Sequence, residues 1–432
     1  MTRNLHCAGH RAPKRICMLA YAFYENDNRI TRYAEALARR GDTVDVLALR
    51  RDGMPRRERM SGVNVHRIQM RRRDERGRLR YLLRLLRFWV TSSTILAAKH
   101  LRSPYDVIHV HSVPDFEVFA AWLPKCMGAK VILDIHDLVP EFYASKFGGR
   151  TDALCFKALV WLERVSARFA DHVIAANDIW RGKLTSRSIS DARCTAFLNY
   201  VDPNLFYRRT RTRTDDKFIF VYPGGLQWHQ GVDIAVRAFA RITERVPNAE
   251  FHIYGEGPES AKIEALVAEL GLQSRVMLKG ARPLREIPEV ISNADAGVVP
   301  KRADSFGNEA YSTKILEYMS QGVPVLVSRT SIDTFYFSDR TVRFFESGNE
   351  HELAEAMVEL AVTPALRRAF SDAGLAYVAR NNWSLKQQEY FDLVDSLVAG
   401  IPLARQTASG PASGRDSRPA ALNPCLPSGS IG

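Results

Sequence analysis

The sequence predicts an α/β protein built from two parallel-sheet domains. Its 432 residues are enough for two separate cores. Short apolar runs alternate with helical stretches through both halves, the pattern of strands buried on both faces. Between the two series lies a polar, unpatterned break, RRTRTRTDDKF, starting at Arg208. A hydrophobic share of 46% and a charged share of 25% suit an ordinary globular chain.

Residues before about Ala12 read as a loose leader. The opening imitates a signal peptide, since Lys14-Arg15 precedes ICMLAYAFY, but polar Glu25-Asn-Asp-Asn28 stands where a small-residue cleavage site belongs. The run is therefore read as a first buried strand, Ile16–Ala22. Further strands are expected at Thr43–Leu49, Val63–Gln69, Val107–His111, Lys130–Ile135 and His172–Ala176. Helices are expected near Arg29–Arg40, Arg78–Arg102, Phe116–Met127 and Asp152–Ala170. Ligands of such sheets sit at the carboxyl ends of the strands. Three polar clusters fall there: Tyr24 to Arg29, His109-x-His111-Ser112, and Asp134-Ile-His136-Asp137.

The net charge of +13 is concentrated. Arg50 to Arg87 carries about +10 and includes Arg71-Arg72-Arg73, Arg76, Arg78, Arg80, Arg84 and Arg87, enough to set up a local field. Within RLRYLLRLLRFWV, Leu79, Leu82, Leu83, Leu86 and Val90 share a helical face while Arg80, Arg84 and Arg87 line another. Two readings stay open: a helix packing its leucines on the sheet, and docking on an anionic membrane surface through the Arg71–Arg87 region. No nucleic-acid-binding motif accompanies the charge, so nucleic acid is not expected as a partner. Six scattered cysteines without a C-x-x-C pair suggest neither a zinc site nor a disulfide framework and point to a reducing cytosol. No apolar run reaches the roughly 18 residues of a spanning helix.

The second half repeats the alternation. Strands are expected at Phe218–Tyr222, Ala249–Tyr254, Arg275–Lys279 and Ala296–Val299, with helices at Val232–Val246, Ser260–Leu270 and Leu284–Ser292. Helices at Glu352–Leu360, Pro364–Arg380 and Trp383–Val398 follow. Positions 401–432, rich in Ser, Pro, Gly and Ala from Ala408 on, read as disorder. The domains are thus placed at 12–204 and 216–382. Gly224-Gly225 and Gly255-Glu-Gly257 give turns where backbone can approach a ligand closely.

The stretch from Asp304 to Thr330, DSFGNEAYSTKILEYMSQGVPVLVSRT, organises this half. A helix opened by Ser312 or Thr313 would point its free N–H groups and positive dipole end at the preceding loop, an anion site that Lys314 strengthens. Glu309 before the helix and Glu317 one turn in are carboxylates that can accept from sugar hydroxyls. In the company of AGVVP before it and the glycine loops, the stretch resembles the nucleotide-sugar-binding half of the family 4 glycosyltransferases, retaining enzymes of the GT-B fold. That resemblance implies two Rossmann-like domains facing a central cleft, with a helix at 383–400 crossing back to the first. It implies a nucleotide diphosphate sugar as donor, a metal-independent transfer, and no further cofactor. The chain contains no Asp-x-Asp triplet, which agrees.

By the same resemblance Glu309 and His136 are the catalytic candidates. The donor would be held by Gly224, Gly225, Gly257, Asn308, Ala310, Tyr311, Ser312, Thr313, Lys314 and Glu317. Family members commonly carry Arg at the position of Gly225 and Lys at that of Gln230; here Lys301 or Arg302 is expected to join Lys314 in their place. The usual Gly-Gly loop after the first strand is replaced by YENDNRI, so the acceptor candidates are Asn28, Arg29 and His111. A lipid-linked saccharide of a surface polysaccharide is the expected acceptor, at the cytoplasmic membrane face. A GT-B epimerase or hydrolase and a non-catalytic membrane-associated protein are the alternatives.

Overall fold

The computed structural model describes residues 12–71, 78–146, 153–304 and 306–401. The expected leader, the expected tail beyond Ile401, and the segment from Arg72 to Gly77, with Arg72, Arg73 and Arg76 of the basic region, lie outside the described residues.

The first sheet comprises β1 Arg15–Ala20, β2 Thr43–Arg50, β3 Arg57–Met60, β4 Val63–Met70, β5 Val107–His111, β6 Lys130–Ile135, β7 His172–Ala175 and β8 Cys194–Ala196. Their order is β3-β4-β2-β1-β5-β6-β7-β8, parallel except where β3 runs against β4. The second comprises β9 Phe218–Pro223, β10 Ala249–Tyr254, β11 Val276–Leu278, β12 Ala296–Val299, β13 Val325–Arg329 and β14 Arg343–Glu346, in the order β11-β10-β9-β12-β13-β14, all parallel. Strands such as β1 and β12 are buried along nearly their whole length because helices cover both faces of each sheet. This is the two-domain α/β architecture the alternation predicts.

Two departures have simple causes. The strand β3 reads RERM, a charged edge with no apolar pattern, and it pairs through a tight turn in which Ser61 and Gly62 adopt positive φ of 48° and 85°. The helix Asp178–Arg187 has only two fully buried side chains, Trp180 and Leu184, and is opened by Asn177, whose side chain accepts from the Trp180 N–H at 2.8 Å.

The helix Arg78–Arg102 forms with the expected bounds but the opposite phase. Leu85, Phe88 and Leu96 are buried, and Phe88 meets Tyr21 edge to face at 5.2 Å. Leu83 and Val90 are more than half exposed, and Leu82 and Leu86 also face solvent. Leu82, Leu83, Leu86 and Val90 therefore do not pack on the sheet; the sheet takes the side of the helix that carries Leu85 and Phe88 and leaves an apolar stripe outside.

The last helix, Trp383–Ala399, packs on the first domain. Tyr390 stacks on Tyr33 at 4.3 Å and its hydroxyl meets His109 Nδ1 at 2.8 Å, while Asp395 pairs with Lys14 and Arg40. The chain enters this helix where Val201 and Asn382 form an isolated parallel bridge.

Phe88→Ala is expected to cost about 3–5 kcal/mol, whereas Leu83→Ser and Leu86→Ser should stay within about 0.5 kcal/mol. Urea unfolding separates the two; comparable losses would mean the helix packs on its leucine face.

Candidate functional site

A cavity of about 820 Å³ opens between the carboxyl ends of the two sheets. Glu25, Asn26, Asn28 and Arg51 line it from the first domain; Gly224, Gly225, Tyr254, Gly255, Thr313, Lys314 and Glu317 are among those lining it from the second. The helix Thr313–Gln321 points its N-terminus here, with Ser312 in the capping position and Gly322 closing its far end at φ 71°. Ser312 makes no capping bond with its side chain, and its hydroxyl is buried without a hydrogen-bond partner among the described residues. The first-turn N–H groups therefore lack the side-chain cap that the residue type suggests.

Lys314 is the cation of this wall. Its Nζ lies 3.2 Å from Gln230 Oε1 and 5.3 Å from the centre of the Tyr222 ring, and Tyr222 Oη reaches both Gln230 and the Gly225 carbonyl. Burial pulls the Lys314 pKa down to about 8. Burial also raises that of Glu317, against the opposing pull of Lys314 and of the Thr313 hydroxyl. A Cβ at Gly224 would stand 3.1 Å from the Lys314 ammonium, so only glycine leaves this approach open without a shift.

Several expected donor residues serve other ends. Lys301 is buried, with Nζ on the Ala310 carbonyl at 2.7 Å and on Asp333 at 2.9 Å; it neutralises an interior acid and does not face the cavity. Arg302 forks onto Asp233 at 2.6 and 3.0 Å and lies over the Trp228 ring. Neither lines the cavity, so neither replaces the charge absent at Gly225 and Gln230. Gly257 is a packing glycine: a Cβ there would sit 2.3 Å from the Leu226 carbonyl oxygen, so the approach it permits is to backbone and not to ligand. Asn308 accepts from the Ser331 N–H at 2.8 Å, opening the helix Ser331–Tyr336. Ala310 receives Lys301, and Tyr311 packs on Tyr336 and Phe337.

The two catalytic candidates lie outside the lining of this cavity. Glu309 spans the cleft, its Oε2 accepting from Lys183 of the Asp178–Arg187 helix at 2.6 Å and its carbonyl from Asn177 at 3.0 Å. Lys183 carried no signal in the sequence. His136 Nε2 lies 3.1 Å from His111 Nδ1 and 3.4 Å from Asp134. Burial opposes its protonation, but Asp134 outweighs that and raises its pKa, whereas burial lowers that of His111.

Arg29 is not an acceptor contact. Its guanidinium grips Asp134 through two bonds of 2.7 Å and donates to the Phe197 carbonyl, wholly inside the protein. His109, His111 and Asp134 converge like metal ligands, yet Arg29 already holds the carboxylate, so a second cation there would meet repulsion. His111 is likewise buried and structural in placement. Asn28 does line the cavity.

Two family models divide the chain, "Glycosyl transferase 4-like domain" over residues 27–199 and "Glycosyl transferases group 1" over residues 205–376. The chain is 26% identical over 279 residues to alpha-D-kanosaminyltransferase of Streptomyces kanamyceticus, covering 61% of this chain and 70% of that protein. It is 24% identical over 386 residues to D-inositol 3-phosphate glycosyltransferase of Acidothermus cellulolyticus, covering 82% and 81%. Among solved structures it resembles sucrose-phosphate synthase of Thermosynechococcus elongatus with a TM-score of 0.74 at 20% identity, over 90% of this chain and 100% of that one. The Anabaena HepE complex with UDP and glucose follows with a TM-score of 0.66 at 16% identity, over 89% and 100%.

Lys301→Ala strands the buried Asp333 carboxylate and should destabilise the protein by about 3–5 kcal/mol. Adding Asp333→Ala should return part of that loss. Loss of nucleotide affinity at unchanged stability in Lys301→Ala would restore it as a donor residue.

Proposed function

The chain belongs to the family 4 glycosyltransferases, with a 4-like first domain and a group 1 second domain in the GT-B fold, and we propose that it transfers a sugar with retention from a nucleotide diphosphate donor to an acceptor hydroxyl. Glycosyl transfer from a sugar nucleotide is the activity of the family. The finer reading rests on one observation: Lys314, Glu317 and a helix N-terminus converge on the cleft beside the Gly224-Gly225 turn.

In this reading the diphosphate lies against the start of the Thr313–Gln321 helix, where the dipole and Lys314 stabilise the charge that grows as the sugar–phosphate bond breaks. Lys314 takes over the place of the family's lysine at position 230, because Gln230 holds its ammonium beside the glycine turn. That charge asks no metal of the site. Glu317 accepts from ribose hydroxyls. Glu309 orients the sugar from the mouth of the cleft, and Lys183 fixes its carboxylate. His136, braced by Asp134, faces the sugar from the first domain. The leaving phosphate oxygen takes the acceptor proton.

An acceptor wall of Glu25, Asn26, Asn28 and Arg51 favours transfer over epimerisation or simple hydrolysis. The outward leucines of the Arg78–Arg102 helix, with Arg80, Arg84 and Arg87 beside them, favour a lipid-linked saccharide acceptor reached from an anionic membrane surface on the cytoplasmic side. Synthesis of a surface polysaccharide fits that acceptor. Among the described residues no helix is long and apolar enough to cross a membrane.

A thermal-shift screen against UDP, GDP and ADP should find one that stabilises the protein by about 2.7 kcal/mol at 100 times its dissociation constant. The shift should vanish in Glu317→Ala. Glu309→Ala should keep the shift and lose turnover; normal turnover in that variant refutes its role. Lys314 loses its proton as pH rises through about 8, so affinity for the diphosphate should be greatest below that pH and fall above it. In Lys314→Gln affinity should be weak and flat across the same range.

Vesicle flotation tests the membrane reading. Binding to vesicles of anionic lipid should drop in Leu83→Ser/Leu86→Ser and in Arg84→Glu/Arg87→Glu, with little binding to neutral vesicles in either case. Equal flotation of wild type and variants would remove the helix from that role.

A further inference from the structure

We infer that Glu141 is a positioning residue for the transfer: it parks Lys183 at the cleft and, through Lys183, sets the carboxylate of Glu309. The inference rests on the reading of Glu309 as the acid that orients the donor sugar.

Glu309 comes from the second domain, but the cation that meets it at 2.6 Å belongs to the first. By itself that pair would fix little, because a partly exposed lysine gives up rotamer freedom to make such a contact and gains little from it. Lys183 has a second acid close by, Glu141, at 3.7 Å. Lys183 and Arg187 are four residues apart in the Asp178–Arg187 helix and so share one of its faces, with Glu141 between them. Arg187 forks onto Glu141 at 2.7 and 3.0 Å and also holds Glu163, which accepts from the Ser188 hydroxyl as well. Both acids are buried. Two buried carboxylates on one guanidinium leave a negative charge over, and Lys183 is the cation that charge draws. The charges therefore alternate from the core to the cleft: Glu163, Arg187, Glu141, Lys183, Glu309. Glu309 meets an ammonium already held from behind, not a loose side chain.

Lys183 takes Oε2 of Glu309, the Glu309 carbonyl accepts from Asn177 at 3.0 Å, and Oε1 makes no hydrogen bond among the described residues. A carboxylate pinned through one oxygen and its own backbone presents the other in a fixed direction, which is what holding a particular sugar hydroxyl requires. Glu141 lies five residues beyond His136, in the Val139–Lys146 helix that follows β6. The stretch of chain that brings His136 to the sugar thus also carries the anchor for Glu309, and the two walls of the sugar site keep one register.

The test follows release of nucleotide by the full chain from UDP-glucose, GDP-mannose and ADP-glucose in the absence of acceptor. Water then takes the acceptor's place: its oxygen bonds the anomeric carbon, the sugar–phosphate bond breaks, and the leaving phosphate oxygen takes the proton. With the probe that wild type turns over, Lys183→Met, a change at a partly exposed side chain, should lower kcat at least about tenfold at unchanged KM. Lys183→Arg should recover part of that loss. Glu141→Gln, which keeps an acceptor for Arg187, should lower kcat about three- to fivefold, again at unchanged KM. Added to Lys183→Met, it should cost nothing more, a result that a merely structural effect of Glu141 would not give. Unchanged kcat in Lys183→Met or Glu141→Gln, a rise in KM that matches the fall in kcat, or losses that multiply in the double variant each overturn the inference. Release that survives in Glu309→Ala, or no release by wild type from any probe, is a different failure: it removes the reading of Glu309 and the inference with it.

Discussion

The buried pair between Arg29 and Asp134 is the constraint on which the first domain's edge depends. A fully buried carboxylate is tolerated only when its charge is met and its lone pairs are used. Asp134 meets Arg29 through two short bonds and also draws in His111 and His136. Burial works to neutralise it, yet Arg29 foremost keeps it ionised well below the usual carboxylate range. Because Arg29 also binds the Phe197 carbonyl and Asn199, the same ion pair ties the first helix, the sixth strand and the segment leaving the domain into one unit. His136 therefore reaches the cleft from a rigid base, its orientation set by a partner that cannot move without exposing a charge to the core.

The second domain handles its own buried acid the same way, with Lys301 on Asp333. That choice explains why the cations next to the organising stretch are not all available to a ligand. Of Lys301, Arg302 and Lys314, the first supports the interior and the second braces Asp233. The third is left pointing into the cleft, positioned by the amide of Gln230. A single well-placed ammonium at a helix start does there what the family commonly assigns to side chains on the glycine loop.

The parallel strands were legible because burial on both faces writes them as continuous apolar runs, as in KVILDI and AGVV. Lys314 and Glu317 were legible because one helical turn brings them together without help from the rest of the fold. What stayed hidden depends on contacts distant in sequence. Arg29 and Asp134 are 105 positions apart, and nothing local to either residue tells a buried ion pair from an acceptor contact. Lys183 meets Glu309 across 126 positions, on a helix whose modest apolar content gave no pattern to detect. In the Arg78–Arg102 helix the period was readable and the phase was not. A leucine count favours one side, but the sheet accommodates Phe88 and Leu85 and leaves the richer side to the outside.

The chain passes between the domains twice, once after Val201 and once at Asn382, and the two passages lie side by side as a short parallel bridge. Paired crossings act as the pin of a hinge. Sliding or twisting along that line would have to tear Tyr390 from Tyr33 and Trp383 from its place beside them. At the opposite rim the Lys183–Glu309 ion pair lies beside hydrogen bonds from Asn177 to the Glu309 carbonyl and between Asp178 and Tyr336, and beside Phe306 packed on Phe142 and Trp180. Such a pair is worth little by itself and is easily exchanged for contacts with a substrate. The domains are thus joined both at the paired crossings and along the rim, and of the rim contacts the partly exposed Lys183–Glu309 pair is the one a ligand in the cleft can replace at least cost.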